Sequence, residues 1–174
     1  NLPRLKNIQE SVIRYAKVIS NILGIDVEIV DNNLNRIAGT GIFTDKINVN
    51  MRKNGFVYKE TLKNKKILII ENPGKNKLCN ECPEKNNCLE KMEISYPIIY
   101  GEDAIGVIGL VCTTLEQKKY MINNLDTIAS FIEQIAELIS AKVSEYNKEI
   151  IQRNSLEFLK EIVNSVNDGV IVVN

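Results

Sequence analysis

The chain has 174 residues, enough for one globular domain and a short additional segment but too few for two full domains. Its 22 basic and 22 acidic side chains cancel, so the segment lacks the basic excess typical of nucleic-acid binding, and we expect it to bind no nucleic acid. Histidine is absent, which excludes a Ser-His-Asp triad, a Cys-His pair and an HExxH zinc site.

The sequence carries no sign of a membrane segment. No run approaches the ~18 consecutive apolar residues of a spanning helix, and residues 1–4 lack the apolar core of a secretory signal. We therefore expect a cytoplasmic protein that contacts no membrane. Because the segment starts without Met and ends inside an apolar run, we also expect it to be part of a longer protein.

The first seventy residues predict a helix followed by short strands. Residues 5–23 carry apolar side chains at spacings of three and four, and Gly24 stands where a helix C-cap is expected. Residues 25–30 alternate between apolar and polar side chains, which is typical of a half-buried strand. The remaining elements predicted here are a weak strand at 35–39, short helices within 45–64 and a strand at 67–70.

The second half of the chain predicts a hairpin and a long helix. Residues 92–100 and 104–112 form two strands joined by a tight turn, and Pro97 indicates a free edge or a bulge in the first. No Gly or Pro occurs within 115–153, which predicts a continuous helix, and 168–174 predict a new strand. The order of elements indicates an α+β fold, with an antiparallel sheet flanked by an N-terminal helix and a long C-terminal helix.

The cysteines carry the clearest chemical signal. Cys79, Cys82 and Cys88 lie in the 71–91 loop with the spacing C-x2-C-x5-C, and Cys112 follows in the second hairpin strand. A C-x2-C turn lets two thiolates converge on one ion, and a third thiolate can supply another corner of a tetrahedron. All-sulfur ligation suits zinc or an iron–sulfur cluster. We therefore predict a metal site held by these cysteines, with Cys112 as the fourth ligand if strand and loop pack together.

Other interpretations of the cysteines stay open at this point. The fourth ligand can be a carboxylate such as Glu81 or Glu84, or an exogenous group, in place of Cys112. The loop thiols can also form a redox-active dithiol, or be free cysteines without a chemical role. A disulfide framework is not expected in a cytoplasmic protein. Cys112, on an apolar strand, is equally typical of a buried core cysteine.

The predicted long helix carries a candidate dimer seam. Six apolar residues recur at a 4-3-4-3-4 spacing, which is that of the a and d positions of a coiled coil. They are Met121, Leu125, Ile128, Ile132, Ile135 and Ile139. We predict a homodimer formed through this helix; the alternative is that the same stripe packs on the sheet of its own domain.

Catalysis is not expected from the sequence. The acidic and basic side chains show no evident pairing, and Thr40, Ser95 and Thr113 have no histidine to activate them. Gly106 and Gly109 lie inside the second hairpin strand, where they predict close approach of a helix or a ligand rather than a loop.

Several of these segments together resemble a known family. Residues 97–101 and 105–110 look like the closing hairpin of a GAF domain, a small ligand- and redox-sensing module. A wider resemblance, to the N-terminal sensory region of sigma-54-dependent transcriptional activators, rests on four motifs. They are residues 36–41, residues 71–74, the loop with Cys79, Cys82 and Cys88, and the strand with Gly106 and Gly109.

The resemblance implies a domain order and a role. It implies a GAF-like core at 1–114, a signalling and dimerisation helix at 115–154 and the start of a PAS domain at 155–174, in a GAF/PAS-like fold. The implied role is a sensory domain of a transcriptional regulator. It would bind an unknown small-molecule effector, or a cysteine-held metal or iron–sulfur cluster, and relay the signal through its C-terminal helix.

Two alternatives to this role remain. In the first, a metabolite occupies a GAF-type pocket and zinc only braces the cysteine loop. In the second, the segment is a dimerisation module without a ligand, and the cysteines have no function.

Overall fold

The computed structural model of the chain describes residues 2–173, and their side chains as far as Asp168. Five strands form one antiparallel sheet in the order β2-β1-β5-β4-β3. The strands are β1 (Asp26–Asp31), β2 (Arg36–Gly39), β3 (Leu68–Ile70), β4 (Met92–Tyr100) and β5 (Asp103–Cys112). The α-helices of this part of the chain are α1 (Gln9–Leu23), α2 (Phe56–Asn64), α3 (Leu115–Asn123) and α4 (Leu125–Val173). The predicted α+β fold is confirmed.

One face of the sheet packs against α1 and α4 and holds the larger hydrophobic core. β5 is central in the sheet, and its side chains Ile108, Leu110 and Cys112 point to this face and are fully buried. The helix α1 ends at Gly24 as predicted, because that glycine adopts the left-handed conformation (φ 64°) and donates its N–H to the Ser20 carbonyl at 2.8 Å.

The other face of the sheet is covered by α2 and by the loop that carries the cysteines. A smaller apolar cluster joins Val57 and Tyr58 of α2 to Val107 of β5, and Leu78 of the loop packs against it. Gly109 makes this packing feasible, because a Cβ atom at that position would collide with the Tyr58 hydroxyl. The close approach predicted at Gly109 is therefore made by a helix side chain.

The predicted dimer seam lies inside the domain. Ile132 and Ile139 of α4 are fully buried against the sheet, and Ser140 donates a hydrogen bond to the Ile99 carbonyl of β4 at 2.7 Å. The 4-3-4-3-4 spacing thus reflects a helix that buries one stripe on its own sheet, which has the same period as a coiled-coil seam. The prediction that this stripe forms a dimer interface is wrong for this face of the helix.

The predicted long helix is divided, and it extends further than expected. Thr114 and Gln117 form a capping box that starts α3, and Asn124 leaves helical geometry (φ −123°) between α3 and α4. The strand predicted at 168–174 is wrong for residues 168–173, which continue α4, and Asn174 lies outside the described residues. A helix satisfies its backbone groups internally, whereas a single strand needs a neighbouring edge. Assignment of this segment to a PAS domain stays a prediction.

None of the helices described in residues 2–173 is apolar over a length that could cross a membrane.

Candidate functional site

A cavity of about 410 Å³ lies between the sheet, α2, the helical turn Gly41–Lys46 and the cysteine loop. This volume is in the range of small-molecule sites in proteins. Its walls are apolar and include two aromatic rings. The wall residues are Phe43, Met51, Phe56, Val57 and Leu78.

The floor of the cavity holds a buried ion pair. Arg36 of β2 donates from Nε to Glu28 Oε2 of β1 at 2.7 Å, and both side chains are almost fully buried. Tyr58 donates its hydroxyl proton to the other Glu28 oxygen at 2.5 Å, and Arg36 Nη1 donates to the Lys46 carbonyl at 3.0 Å. Buried charges are tolerated where they are paired and hydrogen-bonded. The Glu28 carboxylate is therefore satisfied by its own fold.

Two further carboxyl groups, Glu90 and Glu93, face the same cavity. Burial raises the pKa of Glu93 well above its usual value, and the neighbouring carboxyls of Glu90 and Glu28 raise it further. Burial also raises the pKa of Glu90 to about 7, with an added contribution from Glu28. The pKa of Tyr58 is likewise raised, first by burial and then by Glu28. The floor thus concentrates more carboxyl groups than its one buried arginine can neutralise.

The cysteine loop forms the outer rim of the cavity. It is built from two short helical turns, Lys77–Cys79 and Lys85–Asn87, and the Asn76 side chain accepts a hydrogen bond from the Leu78 amide at 3.0 Å. Gly74 has φ 83°, and a Cβ atom there would lie 2.6 Å from the Lys85 carbonyl oxygen. This close approach folds the loop back over the pocket.

The three loop cysteines line the cavity, and Cys112 does not. Cys79, Cys82 and Cys88 are half-buried free thiols at the rim, and burial raises the pKa of Cys88. Cys112 is fully buried in the core on the opposite face, where its Sγ contacts Met121 Sδ at 3.9 Å and burial raises its pKa to about 11. The prediction of Cys112 as the fourth ligand is therefore corrected, because the sheet separates it from the loop.

The arrangement of the loop thiols does not fit a preformed metal centre. Within the described residues no three Cys, Asp or Glu side chains are placed to hold one metal ion. Cys79 ends one helical turn of the loop and Cys88 follows the other, and the C-x2-C segment between them is a turn closed by a hydrogen bond from the Cys82 amide to the Cys79 carbonyl at 3.0 Å. The predicted zinc or iron–sulfur site thus receives no support from this geometry.

The carboxyl floor is the part of the site that the sequence patterns do not single out. Glu28 stands in the middle of the apolar-polar alternation of β1, where it is read as a solvent-facing residue, and Glu93 follows the buried Met92 at the start of β4. The available signal is that both glutamates lie in strands of a sheet whose two faces are each covered by a helix. A charged side chain on such a strand faces a partner or a cavity.

Comparisons with known proteins agree with this architecture. No family model matches the chain. Among solved structures, the chain is similar to the A. Aeolicus nlh2 GAF domain in an inactive state, with 18% identity, 75% of this chain and 83% of that chain covered, and a TM-score of 0.55. The fold is that of a GAF domain. The chain is also similar to a methyl-accepting chemotaxis protein (residues 122 to 287), with 17% identity, a TM-score of 0.59, and coverage of 80% of this chain and 89% of that chain.

The GAF fold also occurs in an enzyme. A type II free methionine-R-sulfoxide reductase from Thermoplasma acidophilum matches with 16% identity, a TM-score of 0.54, and coverage of 81% of this chain and 96% of that chain. The fold by itself therefore assigns no role to the chain.

A sequence relative points to regulation of transcription. The chain is 28% identical over 170 residues to the Escherichia coli K12 protein named "Putative uric acid sigma-54-dependent transcriptional regulator UacR". The alignment covers 98% of this chain but only 28% of that regulator's length. The resemblance to sigma-54-dependent regulators is thus confirmed across nearly all of this GAF segment.

Proposed function

We propose that this segment is the cytoplasmic sensory GAF domain of a transcriptional regulator, and that a small-molecule effector binds in the cavity above Glu28, Arg36 and Tyr58. The proposal rests on the cavity itself, whose walls are apolar and whose floor presents a few convergent polar groups. That combination is typical of ligand sites. The similarity to a sigma-54-dependent regulator supports the regulatory context.

Binding without catalysis is the role that the chemistry of the cavity favours. The strongest nucleophiles at the cavity are thiols, and no histidine exists to activate them. The raised pKa of Cys88 lowers its thiolate fraction at neutral pH, which makes it a poor nucleophile. The remaining polar groups of the floor are paired with one another or are carboxyls, as a recognition surface requires.

Uric acid is the first effector to test, because the similar regulator is named for it. We expect uric acid to raise the melting temperature of the chain and to bind in isothermal titration calorimetry. Val57→Phe should fill the cavity wall and weaken binding by at least about tenfold, since Val57 is buried at the cavity. Val18→Phe is the matched control, because Val18 is exposed on α1 and does not line the cavity. Equal affinity of the two variants for a bound effector would exclude the cavity as the site.

β4 offers a route from the cavity to the long helix. Glu93 of β4 faces the cavity, while Ile94 and Ile98 of the same strand pack in the core against α4. Ser140 ties α4 to the Ile99 carbonyl of β4. In the proposal, an effector that prefers one position of β4 biases the position of α4, which is the coupling that signalling requires.

The homodimer is proposed on a different surface of α4 from the one predicted. Beyond the domain core, α4 exposes an apolar stripe at a 3-4-3 spacing, consisting of Leu156, Leu159, Val163 and Val166. Each of these side chains is 56–60% exposed. A helix of this kind is stabilised when a second copy covers the stripe. The proposed dimer therefore forms through the C-terminal part of α4.

A further inference from the structure

The pocket floor holds one buried carboxyl group that forms no ion pair with a basic side chain of the described residues. Glu93 is only 6% exposed and lines the cavity. Tyr58 lies beside it but has a single hydroxyl proton, which it donates to Glu28. The other flanking group, Glu90, is itself an acid, and its carboxyl lies within hydrogen-bonding reach of that of Glu93. Among the described residues no nitrogen donor bonds the Glu93 carboxyl.

The Glu93 oxygens open onto the cavity. Glu93 lines the cavity, and its flanking groups Tyr58 and Glu90 offer it no nitrogen donor. Burying a carboxyl costs free energy where its hydrogen bonds are incomplete. A ligand that donates a hydrogen bond to Glu93 would remove this cost, and the site therefore selects for donors at this position.

Arg36 supplies the complementary group on the same floor. Its Nε and Nη1 atoms donate to Glu28 and to the Lys46 carbonyl, so in the described structure its Nη2 amine is left for a further acceptor. Arg36 lines the cavity together with Glu93. The floor thus presents an acceptor and a donor to whatever enters.

The charges of the floor are largely compensated. Arg36 is already paired with Glu28, and Lys46 and Lys85 also line the cavity, so the floor offers a ligand hydrogen-bonding groups rather than an uncompensated negative charge. The Phe43 and Phe56 rings in the walls favour a flat, partly apolar body. A ring with adjacent N–H and C=O groups meets both demands.

We propose that Glu93 and Arg36 recognise the N–H and C=O edge of a small nitrogen heterocycle, that is, a cyclic amide or ureide. Glu93 accepts from a ring N–H, and Arg36 donates to the neighbouring carbonyl oxygen. This inference rests on the proposed function, because it names the ligand class of the same cavity, and it makes Glu93 the residue that determines specificity.

The test compares two purines by calorimetry at pH 6.5. Xanthine carries ring N–H donors beside its carbonyls, whereas caffeine keeps the ring and the carbonyls but has no N–H. We expect the natural chain to bind xanthine at least about tenfold more tightly than caffeine, because the hydrogen bond from a ring N–H to the Glu93 carboxyl is lost in caffeine.

Substitution of Glu93 distinguishes hydrogen-bond recognition of the ligand from exclusion of methyl groups by the shape of the cavity. Glu93→Gln should weaken xanthine binding by about tenfold or more and bring the xanthine-to-caffeine ratio towards one, a change that steric exclusion of methyl groups would not produce. Glu137→Gln is the matched control, since Glu137 is exposed on α4, and it should leave both affinities unchanged. If Glu93→Gln fails to fold, the ratio of the xanthine and caffeine affinities of the natural chain is the test of the inference.

The outcomes distinguish failure of this inference from failure of the proposed effector site. Equal xanthine affinity of Glu93→Gln and the natural chain, or equal binding of xanthine and caffeine, overturns the inference. If the tightest ligand has no N–H donor and Val57→Phe abolishes its binding, the inference is overturned but the effector site in the cavity is supported. Absence of binding by xanthine, uric acid and every compound of a metabolite library overturns both.

Discussion

At the scale of single residues, the cavity floor shows how a few side chains combine binding chemistry with a cost to stability. Glu28 is held by Arg36 and Tyr58, whereas Glu93 is buried without such support. Residues that are poorly satisfied in the unliganded fold are typical of functional sites. Glu93 is therefore the residue whose replacement should improve stability and impair binding.

The first prediction concerns the pH dependence of stability. The pKa of Glu93 is raised in the folded state above its unfolded value of about 4.3. The native state then holds a proton that the unfolded state has released, so the free energy of unfolding falls as pH rises from about 4.3 through the folded pKa. Glu93→Gln should reduce this loss and be more stable than the natural chain at pH 8. Urea unfolding at pH 5 and pH 8, with Glu137→Gln as control, measures the change in the free energy of unfolding. If the free energy of unfolding of Glu93→Gln falls with pH as steeply as that of the natural chain, the prediction is wrong.

The second prediction concerns the loop thiols. Because no three ligand side chains of the described residues are placed to hold one metal ion, we expect protein purified without oxygen to contain far less than one zinc or iron per chain and no absorbance band near 400 nm. Cys82→Ala should then leave metal content unchanged. One equivalent of metal by elemental analysis, lost in Cys82→Ala but retained in Cys112→Ala, would show instead that the loop rearranges to bind it.

At the scale of elements, the sequence predicts most of the regular structure because the apolar periods are strong. The helix that ends at Gly24 and the two strands of the β4–β5 hairpin are found close to their predicted bounds. The polar segment 45–64 yields only one α-helix, α2, because its pattern has no clear period. The strand predicted at 168–173 is replaced by the end of α4, because a run of Val and Ile favours a strand only where a sheet edge is available.

The period of α4 illustrates a limit of the same reasoning. A 4-3-4 apolar spacing predicts that one face of a helix is buried, but it does not distinguish burial by a sheet from burial by a second helix. Cys112 is a similar case, because its position in the sequence does not reveal which face of β5 it occupies. The buried carboxyls escape sequence patterns for the same reason, since burial depends on elements that are distant in the chain.

The third prediction tests the packing of α4 on the sheet. Ile132→Asp places a charge in a fully buried position and should cost more than about 4 kcal/mol, which approaches the whole stability of a marginally stable domain of about 5 kcal/mol. Leu138→Asp, on the half-exposed side of the same helix, should change stability by less than about 1 kcal/mol. Thermal unfolding followed by circular dichroism compares them. A folded but monomeric Ile132→Asp chain would show that this face meets a partner.

At the scale of the whole molecule, the chain has the fold of a GAF domain, with a long helix extending from its core. The cavity of the proposed effector site lies on one face of the sheet, and the helix packs on the other face. Past the core the helix has no partner within the described chain, and its apolar stripe is exposed. This separation lets one surface receive the effector and another make contact with a second copy.

The fourth prediction concerns this second surface. The natural chain should be a dimer in multi-angle light scattering, and Leu159→Glu should make it a monomer, because a charge then interrupts the apolar stripe. The adjacent Lys160→Glu changes charge outside the stripe and should leave the dimer intact. The melting temperature of the domain core should be similar in both variants. A natural chain that is monomeric at all concentrations would contradict the proposed dimer.

The most direct test of an effector site in this cavity is amide hydrogen exchange measured by mass spectrometry. Exchange is compared with and without the compound that most raises the melting temperature, and uric acid is tried first. We expect slower exchange in the cysteine loop at 71–91 and in β4, both of which border the cavity, with a smaller change in the part of α4 that packs on β4. Val57→Phe should abolish these changes. Protection confined to the exposed end of α4, or unchanged in Val57→Phe, would contradict an effector site in this cavity.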